Sequence, residues 1–168
     1  MIYLGIDPGV TGGIALLYAD SSIKKLVVLD IPTAQAGTGK TKKEIDVAGL
    51  ADMLRPYAQQ IKLAGLERVH SMPQQSSQSG FSLGDSFGAI RGVLAALGIP
   101  VIRFEPARWK RHMKIPTGSD KEASRAFALS LFPANAADLK RVKDHNRAEG
   151  MLIAQAAKDY SERVGSFN

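Results

Sequence analysis

The chain has no cysteine. That excludes a disulfide scaffold, thiolate-bound zinc, iron–sulfur clusters and a thiol nucleophile. Nor does it hold an apolar run near the ~20 residues a membrane span requires, so no membrane partner is expected. There is no internal repeat and no Pro/Gly/Ser-rich linker to divide the chain, and 168 residues suit one domain. The opening Met1-Ile2-Tyr3-Leu4 reads as a strand rather than a basic leader, which leads us to expect a cytoplasmic protein, bacterial or phage-encoded, with the mature form of an organellar protein as the alternative.

What is present is a hydrophobic fraction of 45% and a net charge of +6. The excess is unevenly placed. Residues 1–100 carry nine basic and eight acidic side chains, residues 101–168 thirteen and eight. A surface of this kind binds phosphate backbones through counterion release, although a solvated basic face has the same composition.

Residues 2–6, 14–18 and 23–29 read as three short strands joined by turn chemistry, an antiparallel meander. Asp46 caps a helix through about residue 57, with Val47, Leu50, Met53 and Leu54 on one face. A short strand over 66–69 and a polar loop over 71–80 follow. Next come a helix over 86–97 and a strand beginning over 99–102, then helices near 106–112, 119–131 and 145–162. This order predicts an α/β sandwich with a mixed sheet. Residues 34–43 read as a flexible loop.

Four acidic residues, in three places along the chain, stand out. Asp7 ends the first strand, on the face shared by Tyr3 and Gly5, before the glycine-rich backbone of Gly9, Gly12 and Gly13. Asp before Pro-Gly is also a good turn former. Glu67 sits in a short strand, where Glu is disfavoured unless the strand lies at an edge. Asp144 and Glu149 lie at the start of the last helix, where acids also complement the helix dipole. Five helical steps separate them by about 140°, which is reconciled if Asp144 is the N-cap or precedes it. His145 and Asn146 precede Glu149 by four and three residues. Carboxylates from two strand ends and one helix can converge on a point. An all-oxygen set suits hard divalent ions, and two such ions can drive phosphodiester hydrolysis.

Ile6-Asp7-Pro8-Gly9-Val10-Thr11-Gly12-Gly13 resembles the opening of RuvC-type Holliday junction resolvases, in the ribonuclease H-like superfamily. Leu66-Glu67-Arg68-Val69-His70-Ser71-Met72-Pro73 resembles their second acidic strand. Arg91-Gly92, Leu97-Gly98-Ile99-Pro100, Trp109-Lys110, Asp120-Lys121-Glu122-Ala123-Ser124 and Asp144-His145-Asn146-Arg147-Ala148-Glu149-Gly150 extend the likeness in order along nearly the whole chain. The resemblance implies a ribonuclease H-like mixed sheet, its first three strands antiparallel and the rest parallel, flanked by helices. It also implies a homodimer that nicks two opposing strands of a four-way DNA junction with Mg²⁺ or Mn²⁺, two ions per site.

By position, Asp7, Glu67, Asp144 and Glu149 are then the metal ligands and catalytic residues, the Asp144/Glu149 spacing resembling phage and chloroplast relatives. Asn146 stands where bacterial members carry an acid or His. Lys121 matches a lysine that supports phosphate or transition-state charge. DNA contacts are expected from Gln74, Gln75 and Phe81 in the polar loop, Phe81 being either a base-stacking ring or a core residue. Further contacts are expected from Arg108, Lys110, Arg111 and Lys114, while Trp109 among them reads as a core anchor. The helix over 86–97 is the implied dimer contact. Broader branched-DNA cutting and non-catalytic junction binding are the alternative functions.

Ala34-Gln35-Ala36-Gly37-Thr38-Gly39-Lys40-Thr41 fits a loose phosphate-loop pattern. The following helix begins only near Asp46, past Lys42-Lys43, and no later strand ends in an Asp suited to Mg²⁺. A P-loop NTPase and a nucleotide cofactor are therefore not expected, and Lys40, Lys42 and Lys43 read as a basic loop on the DNA backbone. Residues 7–12 also resemble the first phosphate motif of actin-like ATPases and sugar kinases, but those folds need two such domains.

Overall fold

A computed structural model describes residues 1–19, 25–36, 43–70, 76–116 and 121–165. Five strands form one sheet in the order β3-β2-β1-β6-β7. They are β1 (Ile2–Asp7), β2 (Gly13–Tyr18), β3 (Lys25–Asp30), β6 (Ile61–Glu67) and β7 (Val101–Phe104). The first three are mutually antiparallel, and β6 and β7 run parallel to β1. This is the mixed sheet of an α/β sandwich that the order of elements predicted, with the strand directions that the resemblance implies.

β1 is the central strand and is covered on both faces, so it reads as a nearly unbroken apolar run. Ile2, Leu4 and Ile6 point into one core with Ile14, Leu16, Leu50, Leu54, Ile90 and Leu94. That layer is roofed by α1 (Val47–Leu54) and α2 (Ser77–Ala96). Tyr3 points into the opposite core with Leu17, Trp109, Met151, Leu152 and Ile153. There the cover comes from α3 (Pro106–His112), α4 (Lys121–Leu131) and α5 (His145–Gly165).

Several boundaries differ from the sequence expectation; α1, for one, ends at Leu54 rather than near residue 57. β6 begins at Ile61 rather than residue 66, since Pro56 ends the preceding α-helix and a 3₁₀ turn over Arg55–Gln60 delivers the chain to the sheet. α2 starts nine residues early, at Ser77, because the Ser76 hydroxyl accepts a hydrogen bond from the Ser79 N–H and caps it. Its first turns are exposed and so leave no hydrophobic period to read. A further difference is β7, which spans 101–104. Both ends of the expected 34–43 loop are instead strand, β4 (Thr33–Gln35) pairing antiparallel with β5 (Lys43–Ile45). Asp46 caps α1 as expected, its Oδ1 accepting from the Gly49 N–H at 2.9 Å.

α5 lies unusually close to the sheet. Gly5 and Gly65 are paired across β1 and β6, and Gly13 lies opposite Asp7 on β2. A Cβ on Gly5 would overlap the backbone of Gly150 and Ala154, and one on Gly13 would come within 2.6 Å of the Asn146 carbonyl. Only strands lacking side chains at these points let the helix rest on their backbone. Among the described residues no helix is long and apolar enough to cross a membrane.

Candidate active site

Asp7 and Glu67 end neighbouring parallel strands, one residue beyond the Ile6–Leu66 pair. Both alternate onto the α5 side of the sheet. α5, held down by the glycine track, adds Glu149 from its second turn. Asp7, Glu67 and Glu149 each offer a carboxylate oxygen, and the three oxygens lie within 4.8 Å of one another. All three residues are partly buried. Three converging carboxylates with no nitrogen or sulfur donor fit a hard divalent cation, so this cluster could bind a metal ion.

Neighbouring groups hold the trio in place. The Trp109 indole N–H donates to Glu67 Oε2 at 2.5 Å. Lys110 Nζ lies 2.8 Å from Glu149 Oε1, and the Ser124 hydroxyl donates to that oxygen at 3.2 Å. Burial pushes the Glu67 carboxyl up to about 6, with the Glu149 charge adding to the rise and the Trp109 bond and Lys110 opposing it. Burial by itself would depress the Lys110 ammonium, but the Glu149 hydrogen bond and the charges of Glu149, Glu67 and Asp7 together raise it.

A pH-dependent stability follows. The Glu67 carboxyl titrates higher in the folded chain than in the unfolded one, so its protonated form favours folding. That contribution is fully present below about pH 4.5 and is lost as pH rises through about 6, a swing of about 2 kcal/mol. In EDTA at neutral pH, Glu67→Gln should therefore be more stable than the parent in urea melts. Its advantage should fade on acidification to about pH 4.5. An advantage independent of pH would mean that Glu67 is not raised.

Asp144, the fourth carboxylate expected, is not among the three that lie within 4.8 Å of one another. It ends a 3₁₀ turn over Val142–Asp144 and is only 3% exposed. Its carboxylate accepts from the Arg141 backbone N–H at 2.7 Å and from the Arg141 guanidinium at 2.7 and 2.9 Å. That guanidinium holds the Asp144 carboxyl below its ordinary value. The five-residue step to Glu149 keeps the two on different sides of the helix start. Asp144 lines a pocket with Arg141 and with the Asp30–Arg147 pair, which is itself closed at 2.6 Å. Asn146 donates to the Thr11 carbonyl at 2.6 Å, tying α5 to the β1–β2 turn, and His145 Nδ1 lies 3.1 Å from the Val142 carbonyl.

Lys110, expected on a DNA-facing surface, points into the carboxylate cluster instead. Arg108, Arg111, Lys114 and Lys43 are exposed. Phe81 is 77% exposed and so is not a core residue. Trp109 is buried at 1% exposure, as an anchor should be, yet also reaches the site. Lys40, Lys42, Gln74, Gln75 and the Lys121 side chain lie outside the described residues.

The roles of Trp109, Lys110 and Ser124 were missed because their partners lie 25 to 42 residues away in sequence. A groove of about 680 Å³ between the turn after β1 and the start of α2 was equally unforeseen, lined by Pro8, Gly9 and Thr11 and by Ser76, Ser79, Ser82 and Ser86. The four-residue spacing of Ser82 and Ser86 was its only signal.

No protein-family model matches the chain. A curated relative, the chloroplastic Holliday junction resolvase MOC1 of Chlamydomonas reinhardtii, is 29% identical over 155 residues. The match covers 81% of this chain, which spans only 18% of that relative's length. Among solved structures, Thermus thermophilus RuvC shares the fold at 16% identity and a TM-score of 0.52, over 98% of this chain and 97% of that one. T. thermophilus RuvC in complex with a Holliday junction substrate superposes at a TM-score of 0.58 and 15% identity, over 97% and 96%. The chain thus resembles Holliday junction resolvases in sequence and RuvC in fold.

Proposed function

We propose that this chain is a structure-selective endodeoxyribonuclease that resolves four-way DNA junctions by paired, metal-dependent nicks. The observation that carries the reading is the meeting of Asp7, Glu67 and Glu149 within 4.8 Å, on a fold that resembles RuvC. The likeness to MOC1, a Holliday junction resolvase, supports the choice of substrate.

The three carboxylates would hold Mg²⁺ or Mn²⁺, as two ions, which when bound activates a water and stabilises the leaving oxygen. Ser124 and Lys110 fix the Glu149 carboxylate, and the Lys110 ammonium would set a positive charge beside the scissile phosphate. Lys121 would add a second. Serine hydroxyls of the groove between the β1–β2 turn and α2 suit phosphate oxygens, contacts that position a duplex without reading its sequence. Arg108, Arg111, Lys114 and Lys43 extend the basic surface. Phe81, projecting from the first turns of α2, suits stacking on an unpaired base at the junction centre.

Paired nicks need two sites, and α2 offers a face for a second copy. Gly80, Gly84, Gly88 and Gly92 recur every four residues, and a Cβ at any of them would meet nothing within 4 Å. Each glycine costs the helix about 1 kcal/mol relative to Ala. A symmetric contact between two α2 helices would give the stripe a purpose.

The test compares Mg²⁺-dependent cutting of a synthetic four-way junction and a linear duplex, with sedimentation to count subunits. Symmetric nicks on the junction alone, made by a dimer, are expected. Equal cutting of both substrates would reduce the protein to a general ribonuclease H-like nuclease. Junction binding without cutting would make it a structural binder.

A further inference from the structure

We propose that Trp109 is a positioning residue for Glu67. Its indole N–H holds Oε2 and so decides which oxygen of the carboxylate is presented to Asp7 and Glu149. The inference rests on the metal-site reading above and adds a residue whose role that reading does not require.

The contact is short and directional, 2.5 Å from Nε1 to Oε2. An indole is a donor only, so it can orient a carboxylate without competing as a ligand. The ring has no freedom to release its hold, being 1% exposed and packed in the α5-side core with Phe104, Met113 and Ile153. Its backbone is fixed too. The Trp109 N–H donates to the Glu105 carbonyl at 3.2 Å, and Pro106 opens the helix.

The adjacent Lys110 grips Glu149 at 2.8 Å, with its ammonium 5.2 Å from the centre of the Trp109 ring. Two consecutive residues of α3 therefore hold two carboxylates that come from a strand and from another helix. α3 acts as a clamp that sets their separation. Partners of this kind, touching a ligand rather than the metal, typically alter metal affinity 10- to 100-fold when removed.

Trp109 is the chain's only tryptophan, so the intact protein gives one indole N–H resonance. In ¹⁵N-labelled protein that resonance is expected downfield and slow to exchange with solvent, and it should shift on titration with Mg²⁺. Calorimetry with Mn²⁺ then compares the parent with Trp109→Phe, which keeps most of the ring packing and deletes the donor. We expect affinity to fall at least ~10-fold while the melting transition stays cooperative.

An unchanged Mn²⁺ affinity in Trp109→Phe overturns the proposal. An indole resonance unmoved at saturating Mg²⁺ overturns it as well, and that measurement decides the matter if the variant does not fold. If the parent itself binds no Mn²⁺, the metal-site reading fails and takes this inference with it.

Discussion

Asp7→Asn should leave junction binding intact and slow cleavage by at least ~10²-fold. The substitution keeps the shape of the side chain and removes its charge. Asp7 sits at the end of the central strand, where its oxygen lies within 4.8 Å of oxygens on both Glu67 and Glu149. A neutral amide there weakens the cation site without disturbing β1, whose hold on the core comes from Ile2, Tyr3, Leu4 and Ile6. Binding measured by gel shift in Ca²⁺ and single-turnover cutting in saturating Mg²⁺ separate the two effects. Cleavage at the parental rate would move the chemistry away from this cluster.

Gly5→Ala should damage the protein from a position that carries no functional atom. The new methyl would overlap the Gly150 carbonyl and the Ala154 backbone, and neither a helix backbone nor the central strand can yield locally. Overpacking of this kind costs about 3 kcal/mol, which lowers the melting temperature by roughly 10 °C in a chain of this length. The same displacement lifts α5, and Glu149 with it, away from Asp7 and Glu67. Mn²⁺ affinity should therefore fall along with stability. Thermal melts and calorimetry on one preparation check both. A variant with lower stability and parental Mn²⁺ affinity would show that the helix relaxes without moving Glu149.

Alternation along β1 was readable directly, and with it the side of the sheet that Asp7 occupies. The cap at Asp46 and the apolar stripe of α5 were legible in the same way, since each depends on neighbours within a few residues. The start of α2 was not, because Ser76-Ser77-Gln78-Ser79-Gly80 has the composition of a loop and only the cap bond at Ser76 turns it into helix. β6 was found five residues short for a similar reason. Lys62, Leu63 and Ala64 have no strand signature of their own and become a strand by pairing with β1.

Among the acids, local pattern alone could not separate Asp144 from Glu149. Both precede a strongly apolar helix, and the charge of each has an ordinary explanation at a helix start. The structure divides them by partner. Asp144 closes a turn with Arg141, whereas Glu149 faces the strand ends.

The missing cysteine already excluded thiolate-bound metals, and the acids at strand ends offered oxygen donors that suit a hard cation, because ligand chemistry is a property of residue type. The sequence alone also determined the class of fold, since periodicity and turn chemistry are local. Which carboxylates meet, and which residues hold them, was decided only by tertiary structure. Gly5, Gly13 and Gly65 let α5 rest on the sheet and bring Glu149 to Asp7. The burial of Trp109 then places its indole against a glutamate 42 residues away. Distances of that kind follow from packing across the fold, and no spacing along the chain encodes them.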